Sequence, residues 1–256
     1  MTASDATTRF SNRVRDYVRF RPGYPADVVH CLTAEFGLLP TQTVADIGSG
    51  TGISARLFLA NGNPVLGVEP NADMRAAADR MLQEFKTFRS IAGTAEATTL
   101  ADGSVDWVLA AQAFHWFDVD RCRPEFNRIL RPAGRVVLLW NDWQRESPFL
   151  QAYEALVRRH AVDYDSVCHN RAQTDGRIER CFAPSQPAQR TFSNHQDLDY
   201  AGLQGRLLSS SYMPPADTPQ AEPMLAELKQ IFAQHATHGL VRFDYVTRLY
   251  VGPPKT

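Results

Sequence analysis

Residues 44–52 of the chain are VADIGSGTG, an apolar run that leads directly into a loop with three glycines. The run Val44–Ile47 predicts a buried strand, and the glycines predict a sharp turn into a helix. Such a turn leaves backbone N–H groups pointing at whatever lies above the carboxyl end of the sheet, and glycines let that ligand approach closely. The stretch therefore predicts a nucleoside-binding loop in an α/β fold.

The spacing of the glycines indicates which nucleoside is expected. The dinucleotide fingerprint needs glycines at the first, third and sixth positions of the loop. In this chain the sixth position is Ile53, and the glycines are Gly48, Gly50 and Gly52. This pattern favours a nucleoside other than NAD. An NAD-dependent oxidoreductase and a glycine-rich turn without a ligand stay as alternatives.

Glu69 provides a second signal, because it ends the predicted strand Val65–Val68 and lies 21 residues after Gly48. A carboxylate at this place can accept hydrogen bonds from both hydroxyls of a ribose. An isolated Glu at a strand end is usually just solvated. Its combination with the glycine loop favours the binding-site interpretation.

From residue 25 to about residue 140, short apolar runs alternate with helical patterns, which is typical of a parallel sheet covered by helices on both faces. The predicted strands of this region are 44–47, 65–68, 88–92, 105–110 and 135–140. The helix after the glycine loop is expected to bury Ile53, Leu57 and Ala60. The next helix is expected to follow Asn71, whose side chain can cap it.

The end of the chain has a different pattern. Residues 241–251 alternate apolar side chains with Arg242, Asp244 and Arg248. This alternation gives the strand one buried face and one solvent-exposed face. It predicts an antiparallel strand rather than a central parallel one. Its predicted partner is Gln189–Phe192.

Composition and charge exclude several classes of protein. The 256 residues include 27 Lys plus Arg and 28 Asp plus Glu, and the formal net charge is -1. This balance gives no strong field for nucleic acid or anionic lipid, so neither is an expected partner. No apolar run approaches the roughly 18 residues of a membrane helix, and the arginine-rich start has no secretory core, so we expect a cytoplasmic protein.

The cysteines give no sign of a metal site. Cys31, Cys122, Cys168 and Cys181 lack the paired spacing of a zinc site. We expect reduced thiols and no bound metal.

Further segments resemble the class I S-adenosylmethionine-dependent methyltransferases. Residues 93–97, GTAEA, and residues 102–106, DGSVD, are similar to the adenine-contacting segment and the fourth strand of that family. The resemblance implies a Rossmann-like fold with a seven-stranded mixed sheet, helices on both faces and a helical cap. It also implies S-adenosyl-L-methionine as cofactor and a small molecule as methyl acceptor.

A narrower resemblance points to the subgroup that contains the trans-aconitate methyltransferases. Residues 113–117 are AFHWF, and residues 128–132 are RILRP after Glu125. Residues 21–25 are RPGYP and follow Tyr17, which is similar to the N-terminal lid of that subgroup. The likeness is specific from residue 17 to about residue 160.

The likeness of the N-terminal segment to a lid and the change of pattern after Trp140 predict a division of the chain. We expect an N-terminal lid at residues 1–24 and a cofactor-binding core at 25–140. A cap is expected at 141–187, and the C-terminal part of the core, with the antiparallel strand pair, at 188–256. The oligomeric state is not predicted.

The resemblance assigns cofactor contacts to residues at or just after the predicted strand ends. The candidate cofactor-binding residues are Asp46, Gly48, Ser49, Gly50, Gly52, Glu69, Pro70, Met74, Thr94, Ala95, Glu96 and Gln112. The glycine loop would surround the methionyl part, Glu69 would bind the ribose, and residues 95–96 would lie at the adenine edge. Thr94 stands where many relatives have Asp, and Met74 either covers the adenine or packs in the core.

A second group of residues is expected at the acceptor or in the lid. Its members are Tyr17, Arg21, Tyr24, His115, Trp116 and Trp140. His115 and Trp116 follow a strand's carboxyl end, where α/β folds bind ligands, and a packed aromatic corner is their alternative. A solvated surface position is the alternative for Arg21.

No catalytic side chain is predicted, because a sulfonium is already activated and a transferase can work by alignment and exclusion of water. A carboxylate is ionised at neutral pH and needs no base, so O-methylation of a carboxylate is expected. Arg21 or Arg145 could hold it through two parallel hydrogen bonds. The alternatives are a phenol or ring carbon as acceptor, with His115 as base, and a nucleoside-binding module without turnover.

Overall fold

The computed structural model describes residues 18–162 and 176–253, so the predicted lid residue Tyr17 lies outside the described residues. The strands are β1 (Val44–Ile47), β2 (Val65–Val68), β3 (Phe88–Ile91), β4 (Val105–Ala111), β5 (Leu130–Trp143), β6 (Ala188–Leu198) and β7 (Val241–Gly252). They form one sheet in the order β3-β2-β1-β4-β5-β7-β6. The predicted seven-stranded mixed sheet is confirmed.

Helices connect the strands of this sheet. They are α1 (Asp27–Phe36), α2 (Ile53–Ala60), α3 (Ala72–Met81), α4 (Val119–Ile129), α5 (Pro148–His160), α6 (Arg177–Phe182), α7 (Tyr200–Leu208) and α8 (Ala221–His235). Asn71 caps α3 as predicted, because its side chain accepts from the backbone N–H groups of Asp73 and Met74. In the described ranges, no helix is both long and apolar enough to cross a membrane.

The order of the parallel strands determines where a ligand can bind. From β1 the chain continues to β2 and β3 on one side, whereas β4 and β5 lie on the other. Open α/β sheets bind ligands outside the carboxyl ends of their strands at such a reversal. Gly48 follows β1 and Gln112 follows β4, so both residues lie at this reversal point.

The antiparallel end of the sheet agrees with the alternation in the sequence. Strand β7 pairs with β5 on one side and with β6 on the other, antiparallel in both cases. Its alternate residues, such as Phe243, Tyr245 and Leu249, are buried, whereas Arg242 is exposed. Strand β6 is longer than the predicted segment Gln189–Phe192.

The prediction of the buried face of α2 was wrong. The helix buries Ala55, Phe58 and Leu59, while Ile53 and Leu57 are only half-buried and Ala60 is exposed. Apolar residues lie on both sides of this eight-residue helix, so periodicity alone does not decide which face meets the sheet.

Helices α7 and α8 lie between β6 and β7 and were not predicted from the sequence. Together with α5 and the first half of β7 they form a hydrophobic cluster, here called the helical cluster. Met224, Leu228 and Ile231 of α8 are buried in this cluster. Their helical spacing in the sequence could have predicted this helix. Trp116 and Trp143 pack against the same cluster, which links it to the carboxyl edge of the sheet.

Leu228→Ala should lower the free energy of unfolding by about 2 to 5 kcal/mol, because it removes a fully buried side chain and leaves a cavity. Urea unfolding followed by circular dichroism measures this change. The control is Leu240→Ala, at a position that is 43% exposed, and it should change stability by less than about 0.5 kcal/mol. Equal effects would contradict the place of α8 in the helical cluster.

Candidate active site

The glycine loop between β1 and α2 leaves its backbone open on one side. Gly48, Gly50 and Gly52 have φ values of 68°, 54° and 86°, which glycine adopts without strain. A Cβ on Gly48 would lie 2.6 Å from Cβ of Ala113, whereas a Cβ on Gly50 would meet no atom within 4 Å. Gly48 is therefore needed for packing, and Gly50 presents bare backbone to open space.

Glu69 fixes this loop to the start of α3. One carboxylate oxygen accepts from the N–H of Gly50 at 3.0 Å, and the other accepts from the N–H of Asn71 at 2.9 Å. Burial raises the pKa of Glu69, and these two backbone hydrogen bonds act against the rise. A carboxylate has about four acceptor sites, so Glu69 can also accept from a pair of hydroxyl groups.

Asp46 lies fully buried beneath the loop. Its Oδ2 accepts from the hydroxyl of Ser54 at 2.6 Å, while Oδ1 is buried without a hydrogen-bond partner in the described part of the chain. Burial raises the pKa of Asp46 to about 7. Positive charge nearby would favour the ionised form of this carboxylate.

A cleft lies above the reversal point, with an empty volume of about 970 Å³ including the part open to solvent. Of the predicted residues, those that line it are Arg21, Tyr24, Gly48, Ser49, Gly50, Gln112, His115 and Trp116. Gln112 has a φ of 55°, which is rare outside glycine and is found at functional sites. Its backbone N–H donates to Leu139 O, and its side-chain oxygen accepts from the N–H of Asn141, at 2.9 Å each.

The structure places other predicted cofactor residues, Asp46 and Glu69 among them, around the cleft rather than in its lining. Thr94 and Ala97 exchange backbone hydrogen bonds in a turn after β3, and this turn includes Ala95 and Glu96. Pro70 is exposed, and Gly52 lines a neighbouring pocket. The side chain of Met74 is buried, so its two interpretations stay open.

Two expectations for the acceptor side differ from the structure. Trp140 is fully buried between Phe114 and Tyr250, with edge-to-face rings, and it does not line the cleft. It lies on a central strand whose two faces are both covered, so its side chain belongs to the core. Arg145 also lies outside the cleft lining and forms an ion pair with Glu154 at 3.0 Å.

Several cleft residues were not singled out from the sequence. They are Asn141, Trp143, Arg206, Ser211, Tyr212 and Tyr245. Arg206 belongs to α7, whose sequence, YAGLQGRLL, has two glycines that weaken the helix prediction. A single charged residue within this mostly apolar segment was the available signal.

Comparison with known proteins identifies the family. The methyltransferase domain family matches residues 45–138. An uncharacterized methyltransferase of Mycobacterium bovis is 33% identical, over 74% of this chain and 84% of that protein. The chain belongs to the class I S-adenosylmethionine-dependent methyltransferases. This methyltransferase is also 32% identical to a methyltransferase-like protein of Schizosaccharomyces pombe, over 61% of this chain and 60% of that protein.

Solved structures show the same fold. A protein of Anaeromyxobacter dehalogenans, described as a type II methyltransferase, aligns with a TM-score of 0.62 at 20% identity, covering 91% of this chain and 98% of that one. An N-methyltransferase of Haemonchus contortus, solved with phosphomonomethylethanolamine and S-adenosylhomocysteine, aligns with a TM-score of 0.51 at 18% identity. That alignment covers 97% of this chain and 59% of the other. The narrower likeness to the trans-aconitate subgroup stays a prediction.

The cofactor of this methyltransferase is S-adenosylmethionine, and the residues present fit it. The bare backbone at Gly50 leaves room for the cofactor's close approach. Glu69 has acceptor sites for the ribose hydroxyls, and the buried oxygen of Asp46 suits a nearby cation. We assign the methionyl part to the glycine loop and the ribose to Glu69 as a proposal.

Glu69→Ala should weaken S-adenosylhomocysteine binding by about 1.5 to 3 kcal/mol, because charge-assisted hydrogen bonds to the ribose and the support of Gly50 are lost. Isothermal titration calorimetry measures this difference. Glu84→Ala, which removes an exposed carboxylate paired with Arg56, is the matched control and should bind normally. Wild-type affinity in a folded Glu69→Ala protein would remove Glu69 from the cofactor site.

Cofactor affinity should fall about threefold to tenfold between about pH 8 and about pH 6, because Asp46 becomes protonated across that range. Calorimetry with Asp46→Asn should show a weaker pH dependence of cofactor affinity. Asp79→Asn, on the exposed side of α3, should show the same pH dependence as the wild type.

The raised pKa of Asp46 has the opposite effect on the stability of the cofactor-free fold. Its stability should decrease as the pH rises from about 4 to about 7. Equal pH profiles for wild type and Asp46→Asn would contradict the role of Asp46.

Proposed function

We propose that this methyltransferase O-methylates a carboxylate group of a small-molecule acceptor. The observation that carries the proposal is the charge of the cleft. Among its described lining residues, Arg21 and Arg206 are cationic and none is Asp or Glu. A cleft wall of one sign attracts a ligand of the opposite sign.

The walls of the cleft support a small acceptor. Trp116, Trp143, Tyr212 and Tyr245 line it, and Trp116 and Trp143 pack against the helical cluster. A pocket lined by aromatic side chains with a few placed polar groups is typical of small-molecule sites. The packing of these walls against the helical cluster therefore supports a small molecule as acceptor.

The chemistry places few demands on the protein. S-adenosylmethionine supplies an electrophilic methyl group: an O–C bond forms, the S–C bond breaks, and its electron pair stays on sulfur. A carboxylate attacks as the anion, so the protein moves no proton. The residues of the cleft then need only to orient the carboxylate and exclude water.

Contacts of residues 18–24 support the proposal that residues 1–24 act as a lid. Arg21 donates to Ser209 O at 3.0 Å. The side-chain amides of Asn141 and Asn194 donate to Gly23 O at 3.0 and 2.9 Å. These bonds hold the segment against β5, β6 and the turn after α7, and Arg21 and Tyr24 line the cleft there.

Wild-type enzyme with methyl-labelled S-adenosylmethionine should label small carboxylic acids, and mild base should release the label as methanol. A screen over mono-, di- and tricarboxylic acids, phenols and quinone precursors, with heat-inactivated enzyme as control, measures this outcome. Base-stable label on a phenol or ring carbon would contradict carboxylate methylation. It would favour His115, which lines the cleft, as the base.

A further inference from the structure

Arg206 of α7 is an unusual charge, because it is only 6% exposed and yet lines the cleft. Its guanidinium carbon lies 3.9 Å from the ring centre of Phe243. The rings of Trp143, Tyr153 and Tyr245 lie within 5.9 Å of the same carbon. Arg206 is therefore a buried cation in an aromatic box.

No carboxylate balances this charge within the described ranges of the chain. The side chain of Arg206 donates from Nε to the hydroxyl of Tyr245 at 2.7 Å and forms no ion pair there. Burial raises the pKa of Tyr153 and of Tyr245, so both phenols are neutral. Arg248, also in this region of the fold, is paired with Asp142 at 2.6 Å.

A chain of hydrogen bonds fixes the direction of the guanidinium. The hydroxyl of Tyr245 donates its proton to Oε1 of Gln196 at 2.8 Å, and a lone pair is left to accept from Nε of Arg206. The amide of Gln196 donates in turn to Phe20 O at 3.2 Å. A guanidinium has five N–H donors, so four N–H groups on its two terminal nitrogens remain.

A buried cation without a counter-charge is costly, and cation–π contacts with the surrounding rings offset part of that cost. An oxyanion that presents two oxygens, one to each terminal nitrogen, would complete the site. A group held by Arg206 is buried in the aromatic box, and hydrogen bonds to both of its oxygens lower their nucleophilicity. The bound group and the methylated group are then different parts of one acceptor.

We propose that Arg206 binds a second anionic group of the acceptor, a carboxylate or a phosphate, and thereby anchors the molecule while another group is methylated. The inference rests on the proposed function for its second half, the methylated group. The first half, an oxyanion site in the aromatic box, stands on the geometry of Arg206 alone. The two halves can be tested separately.

Binding of simple probes tests the oxyanion site without turnover. Phthalate, phenyl phosphate and the neutral dimethyl phthalate are titrated calorimetrically into wild-type enzyme saturated with S-adenosylhomocysteine. We expect phthalate or phenyl phosphate to bind and the neutral diester to bind at least tenfold more weakly. The stronger of the two anions identifies the oxyanion class. Equal binding of the anions and the diester, or no binding of either anion, would overturn the proposal.

Substitutions assign the site to Arg206. Arg206→Gln should weaken the anionic probe at least tenfold, and Arg206→Lys should be intermediate, because an ammonium keeps the charge but lacks the planar fork. Both should bind S-adenosylhomocysteine normally. Arg190→Gln, which removes an exposed arginine paired with Glu35, is the matched control. Unchanged anion binding by folded Arg206→Gln would overturn the assignment.

Tyr245→Phe covers the case in which Arg206→Gln fails to fold. It keeps the charge and removes the hydroxyl that orients the guanidinium, so anion binding should fall threefold or more with unchanged S-adenosylhomocysteine affinity. Unchanged anion affinity would overturn the inference.

The methyl-transfer screen separates the anion site from the proposed function. Anion binding without carboxylate labelling supports the site and contradicts the proposed function. Carboxylate labelling with equal KM in wild type and Arg206→Gln would support the proposed function and contradict the anion site at Arg206.

Discussion

The turn between β1 and α2 determines the geometry of the whole cleft. Its three glycines have positive φ, so the chain passes from a central strand into a helix without a side chain at Gly50 over the carboxyl edge. Glu69 accepts from the N–H of Gly50 and thereby fixes the turn to the end of β2. The start of α2 follows directly, and it carries Ser54, the hydrogen-bond partner of Asp46. Loop, acid and helix start therefore form one unit.

The charges around the cleft are divided in the way that the proposed reaction needs. Asp46 and Glu69 lie at the carboxyl ends of β1 and β2, on the side assigned to a cationic cofactor. Arg21 and Arg206 line the cleft, and we propose that they face the acceptor. Because both acids are buried, their interaction with a cation is stronger than it would be in water. Arg206 is also buried, so solvent screens its charge only weakly.

The part of the fold that follows from local signals could be predicted from the sequence. Short apolar runs bounded by turn residues predicted both ends of β1 and β2 correctly, and Asn71 marked the start of α3. The glycine loop and Glu69 could be paired because parallel strands bring their carboxyl ends to one edge. Gln112 was placed by its position just after β4.

The acceptor side could not be predicted in the same way, because it depends on contacts between distant segments. Arg206 and Tyr245 are 39 residues apart, and only the packing of α7 against β7 brings them together. Trp140 and Trp143 lie on the same strand, and sheet pairing decides that the first is core and the second lines the cleft. The pattern of α2 was ambiguous because a short helix with apolar residues on both sides has no single preferred face.

The position of Trp143 gives this enzyme a built-in optical reporter. Its ring stacks on Phe243 at 5.4 Å, lies 5.9 Å from the guanidinium carbon of Arg206, and borders the cleft. Trp107 and Trp140 are buried in the sheet, whereas Trp116 also lines the cleft. The fluorescence emission maximum of an indole beside a buried cation depends on the local electric field. Neutralising that cation with a bound anion should therefore change the protein's own fluorescence, with no added dye.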